Sequence, residues 1–167
     1  MLTVERTSSI PAPAAPVWER AVTEEGINDE LRPILRMTMP RGLRGAAITD
    51  VEVGVELGRS WILLGGLLPV DFDDLCLAEL EPGRRFRERS RTLAFAVWQH
   101  ERIVEPAGDG ACTVTDRLGF ELRRGSAKIP GMAALARRVV SFLFAHRHRR
   151  LARYWSSGSA GASRARG

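Results

Sequence analysis

"TLAFAVWQHERIVEPAGDGACTVTDRLGFELR", residues 92–123, is two apolar-rich segments joined through "EPAGDG". Gly108 and Gly110 mark a loop, and β-branched and aromatic residues crowd both flanks. The stretch predicts two long antiparallel strands closed as a hairpin. His100, Glu101 and Arg102 interrupt it, standing where apolar residues should continue. Pairing through the loop sets Val104 near Cys112, and so Arg102 opposite Val114, His100 opposite Asp116 and Trp98 opposite Leu118. Asp116 shares its face with Val114, Leu118, Phe120 and Leu122, because strand side chains alternate with period two. His100 and Asp116 are therefore expected on the inner face as cross-strand neighbours, with Cβ atoms about 5 Å apart.

Working outward, "RRFRERS" alternates Arg85, Arg87, Arg89 and Arg91 with Phe86, Glu88 and Ser90. Four arginines on one face require water there, which turns Glu88 inward beside Phe86. Further strands are expected in "TVERTSSI", "PILRMTMP", "AITDVEVG", "RSWILLGGLLPVDF" and "DDLCLAELEPG", with "RGLRG" as a loop. Pro13 and Pro16 suit the first turn of a helix, "PVWERAVTEEG", which Gly26 closes, and "INDEL" adds another turn. One long helix is predicted from about Gly131 to Trp155. Its stripe of Met132, Leu135, Val139, Phe142, Leu143 and His146 recurs at helical spacing and should pack on the sheet. "SSGSAGASRARG", residues 156–167, is small, polar and basic, and reads as a disordered tail. The order of strand, short helices, strands and long helix is that of an α+β layer fold, with residues 1–155 as one domain.

The chain has 167 residues and a net charge of +5. Glu121 is the last acidic residue, so the 11 Lys and Arg beyond it stand unopposed locally, while 14 Arg face 20 acids before it. The arginines of "HRHRRLAR" scatter around the helix without aromatic stacking platforms, which argues against nucleic acid and for pairing with the acidic remainder. His146 and His148 diverge by about 200° on a helix and cannot chelate one metal. Phosphate loops, a nucleophile elbow and metal-ligand spacings are absent, so neither metal nor cofactor is expected. Cys76 and Cys112 form no disulfide pattern, no apolar run spans a bilayer, and a cytoplasmic setting follows as the expectation. Oligomeric state leaves no mark in the sequence.

The segments "IPAPAAPVWERA", "GRSWILLGGLLPVDFDDL", "PGRRFRERS", "WQHERIVEP" and "TDRLGFEL" resemble the SRPBCC superfamily, which includes START, pollen-allergen and polyketide cyclase-like proteins. The likeness covers residues 2–155. It implies a helix-grip: a curved antiparallel β-sheet wrapped around a long C-terminal helix, with an apolar cavity between them. Trp61, Trp98, His100, Arg102, Asp116 and Phe120 from strands, and Val139, Phe142 and His146 from the helix, are the expected lining of a site for a small hydrophobic ligand. Two arrangements satisfy the polar residues. In one, Arg102 and Asp116 form an ion pair with His100 bonded beside it. In the other, His100 and Asp116, with Glu88 near, handle protons as in a cyclase or dehydratase. A third possibility is an interaction module using the basic helix end.

Overall fold

The computed structural model describes the backbone of residues 1–40 and 50–164 and side chains to Ser157. Strand β1 (Leu2–Ile10) leads through Pro11 and Pro13 into helices α1 (Ala14–Ala21) and α2 (Glu24–Leu31). The helical segment breaks at Val22 and Thr23, earlier than the Gly26 expected from sequence. The Thr23 hydroxyl accepts the Gly26 N–H (3.1 Å), and Glu24 and Glu25 occupy the first turn, where carboxylates suit the helix dipole. Gly26 has another role. A Cβ there would lie 2.0 Å from the Arg20 carbonyl oxygen, so only glycine lets α2 turn back this closely on α1.

Six more strands follow: β2 (Leu35–Met37), β3 (Glu56–Leu64), β4 (Leu68–Glu81), β5 (Arg85–Thr92), β6 (Phe95–Pro106) and β7 (Cys112–Leu122). Gly65 and Gly66 take positive φ to turn β3 into β4, which runs unbroken through both segments that sequence reading separated. The loop "RGLRG" and residues 47–49 of "AITDVEVG" lie outside the described residues, and Val51–Gly54 form a bend and turn, not a strand. The sheet is antiparallel throughout, in the order β1-β7-β6-β5-β4-β3-β2. It curls into a half-barrel around α4 (Met132–Arg164), which follows the short helix α3 (Arg124–Ala127). This is the helix-grip α+β fold.

The β6–β7 register differs from expectation by two residues. Glu105 and Pro106 remain in the strand, and the turn is only Ala107–Ala111, closed by the Ala107 N–H on the Ala111 carbonyl. Arg102 therefore faces Asp116, His100 faces Leu118 and Trp98 faces Phe120. An even shift preserves facing, so His100, Arg102 and Asp116 all remain on the concave side. The arginines of β5 take the convex side, where Arg85 and Arg87 pair with Glu79, Glu81 and Glu101.

Helix α4 departs from expectation in phase and length. Its sheet-facing residues are Val140, Phe144, Arg147, His148 and Leu151, while Leu135, Val139 and Phe142 are 54%, 48% and 54% exposed. The run "VVSFLF" (residues 139–144) puts apolar side chains on adjacent faces, so periodicity alone cannot choose between them. Helical backbone continues past Trp155 to Arg164. Two apolar clusters form under the helix. One gathers Ile10, Val17, Trp18, Val104, Val114 and Leu151; the other gathers Leu118, Phe120, Val140 and Phe144. Between them along β6 and β7 lie Arg102 and Asp116.

A candidate ligand cavity and its buried ion network

Arg102 and Asp116 are fully buried. The Arg102 Nε donates to Asp116 Oδ1 (2.7 Å) and its Nη2 to Oδ2 (2.7 Å), a bidentate fork across the β6–β7 rung. The same guanidinium reaches α2, where Nη1 and Nη2 donate to the two Glu30 oxygens at 2.7 and 2.8 Å. From α4, Arg147 also donates to Glu30 (3.1 Å), and His148 Nε2 donates to Asp116 Oδ2 (3.0 Å) while its Nδ1 meets Ser8 of β1. His100 bridges diagonally, with Nε2 on Asp116 Oδ1 (3.0 Å) and Nδ1 on Glu88 (3.1 Å). Three acids thus face two arginines and two histidines in a buried network that ties α2, β5, β6, β7 and α4 together.

Burial alone would force these groups towards neutrality, yet pairing wins. Burial pushes the Asp116 carboxyl up, but Arg102 and then His100 hold it well below the usual range. Glu30 is likewise raised by burial and lowered further by Arg102 and Arg147. Burial pulls His100 down, and Asp116 and Glu88 outweigh it, so the imidazolium is favoured. With both ring nitrogens donating to carboxylates, His100 has no free nitrogen to take a proton from a substrate. The geometry is the ion-pair arrangement, extended by Glu30, Arg147 and His148.

Beside this network, between α4 and the concave face of β3 to β6, lies a cavity of about 630 Å³. Phe95 and Trp98 of β6 form one wall, stacked at 5.5 Å between ring centroids. Ala136, Val140, Leu143 and Phe144 of α4 face them, and Ile27, Leu31 and Met37 close the α2 side. Its mouth runs past Val70, Leu93, Leu135 and Val139, which are exposed. The polar groups of the lining concentrate on β4 to β6: Asp71, Asp73, Glu88, Thr92 and His100, with Arg147 across from them.

The residues expected at the site are thus distributed as follows. Trp98, His100 and Val139 line the cavity, as does Glu88. Arg102 and Asp116 lie beneath the wall in the ion network, and Phe120 packs behind Trp98 at 5.9 Å between centroids. Trp61 stands on the convex face against Phe72 and is half exposed. Phe142 points to solvent, and His146 donates to the Arg32 carbonyl (2.7 Å) outside the cavity. Alternation in β3 and the misphased helix stripe explain these last displacements. Asp73, Glu30 and Arg147 are not singled out in the sequence, and His148 is weighed there only as a metal ligand with His146. Alternation on β4 finds Asp73, which shares a face with the buried Leu75 and Leu77. The spacing Val140, Phe144, His148, Leu151 finds His148. Arg147 and Arg150 meet Glu30 and Asp29, so the basic helix does pair with the acidic first part of the chain.

A curled antiparallel sheet gripping a C-terminal helix over a cavity defines a protein of the SRPBCC, START-like fold. The chain belongs to the family described as a domain of unknown function (DUF8410), matched over residues 8–155. Solved structures agree on the fold. Protein CV1439 from Chromobacterium violaceum is similar at a TM-score of 0.67 and 16% identity, over 92% of this chain and 96% of that one. A START superfamily protein from Mycobacterium smegmatis is similar at 0.66 and 10%, over 93% and 97%. The di-domain ARO/CYC BexL, from the BE-7585A biosynthetic pathway, is similar at 0.63 and 19% identity, over 92% of this chain and 46% of BexL. No curated protein matches the sequence. Among the described residues, no helix is long and apolar enough to cross a membrane.

Proposed function

We propose that this protein binds a small hydrophobic molecule in the cavity between the sheet and α4. The carrying observation is the cavity itself: about 630 Å³ with predominantly aromatic and aliphatic walls and a few polar groups gathered on one side. The exposed Leu93, Leu135 and Val139 at its mouth suit an apolar entrant. A proton-transfer enzyme built on His100 and Asp116 is disfavoured, because Asp116 is sealed from the cavity and both His100 nitrogens are engaged. Free Cys76 and Cys112 support a reducing, cytoplasmic setting.

A neutral, environment-sensitive naphthalene dye tests the reading. It should brighten and shift to the blue with wild type. With Ala136→Trp, which fills the cavity from α4, the signal should vanish while the melting temperature is kept. Undiminished binding by that folded variant would place the dye elsewhere and overturn the proposal. Native mass spectrometry of the protein as expressed should then reveal any apolar molecule carried through purification.

A further inference from the structure

The buried network sets three acids (Glu30, Glu88, Asp116) against Arg102, Arg147, His100 and His148, and every one of those basic side chains is already bonded to them. Two other carboxyls on the cavity wall are left over. Asp71 and Asp73 share one face of β4, and among the described residues neither has a basic partner. Asp71 uses Oδ1 to accept the backbone N–H groups of Phe72 and Leu93. Those bonds orient it without cancelling its charge. Asp73 is only 5% exposed, yet its Oδ1 accepts no hydrogen bond. Nearby, the hydroxyls of Ser60 and Ser90 are buried and also unpartnered; Ser90 approaches Asp73 without hydrogen-bond geometry.

An unpaired buried carboxyl in an apolar wall is costly unless something complements it. We infer that the cavity selects a hydrophobic ligand bearing a basic nitrogen, whose ammonium group seats against Asp73 and Asp71 while its apolar body lies along Trp98, Phe95 and Phe144. This rests on the ligand-binding reading above. Alternative head groups fit less well: a carboxylate or phosphate would meet Asp71, Asp73 and Glu88, and the positive groups in view are already bonded. His100 donates both protons to Glu88 and Asp116, and Arg147 donates to Glu30. The walls contributed by α2, β2, β3 and α3 carry no charged side chain.

The charged neighbours also set the pH behaviour. Burial first, and then the Glu88 carboxylate, raise Asp73 from 3.8 to about 7, with Asp71 adding to the rise and His100 opposing it. Ligand-free Asp73 is therefore half-protonated near neutrality, and an ammonium group displaces that proton. Amine affinity should rise with pH through about 7 and level off until the amine loses its own proton. Deprotonation of His100 at higher pH would remove a positive charge beside the cavity and leave one N–H for two carboxylates, which reinforces the same trend.

Three probes with one apolar body separate the possibilities by titration calorimetry: 2-naphthylmethylamine, 2-naphthalenemethanol and 2-naphthoate. At pH 8 the amine should bind about tenfold or more tightly than the alcohol, the scale of a charge-assisted hydrogen bond. That preference should shrink at pH 5.5. Asp73→Asn, nearly isosteric, should remove most of the preference for the amine over the alcohol, with folding checked by its melting curve. If the alcohol or naphthoate binds as well as the amine, or Asp73→Asn keeps the preference, the cation assignment falls and the cavity reading stands. If no probe binds wild type, both fall.

Discussion

Asp116 accepts four hydrogen bonds, two from Arg102 and one each from His100 and His148, while wholly removed from water. All four are donors, which decides how its replacements behave. Asp116→Ala leaves the Arg102 guanidinium and the His100 ring buried without their shared acceptor, and should cost about 3–5 kcal/mol in urea unfolding. Asp116→Asn keeps the shape but turns an amide N–H towards a donor whichever way it flips. It should therefore be destabilised on a similar scale, not rescued as a simple charge deletion would be. A stability within about 1 kcal/mol of wild type for Asp116→Asn would show that hydrogen-bond geometry there is looser than the 2.7–3.0 Å contacts imply.

At the scale of elements, two tests separate packing from periodicity. On α4, Phe144 is buried against Trp98 and His100, whereas Phe142, two residues before it, is half exposed. Phe144→Ala should cost about 3–5 kcal/mol and Phe142→Ala less than about 0.5 kcal/mol. Equal effects on melting would mean the helix sits in the other phase. On α2, Gly26→Ala drives a methyl group into the Arg20 carbonyl and should lower stability by about 1–3 kcal/mol, although alanine is the better helix former. The sequence was legible where one face meets water and the other does not: the arginine alternation of β5 and the hairpin of β6 and β7 gave facing correctly. Register was off because Pro106 was read as loop when it closes the strand. Helix phase was illegible because α4 is apolar on two sides, one turned to the sheet and cavity through Val140 and Phe144, the other exposed at Leu135, Val139 and Phe142. Nothing local marked Glu30 or Arg147 as buried, since their burial depends on a contact 117 residues apart in the chain.

For the whole molecule, the buried charges predict an acid-shifted stability maximum. Asp116 and Glu30 titrate below their usual values in the fold, so their contribution is present above about pH 4 and is lost as pH falls through the lowered values. Asp73 and His100 act oppositely. Each binds its proton more tightly when folded, so stability falls as pH climbs from 3.8 to about 7 for Asp73, and again above 6.5 for His100. Urea midpoints should thus be higher near pH 5 than near pH 8, and Asp73→Asn should flatten the slope up to about pH 7. A midpoint that climbs steadily to pH 8 would contradict the burial of both groups. The ion network has one more consequence, for the order of events during synthesis. Arg147 and His148 lie C-terminal to all seven strands, yet they complete the partners of Glu30 and Asp116. A growing chain on the ribosome can lay out the whole sheet and still hold those carboxylates short of donors until its final helix has emerged. Stable folding should therefore wait for α4: ribosome-stalled chains ending at residue 130 should remain protease-sensitive, and chains extended past Leu151 and clear of the exit tunnel should resist.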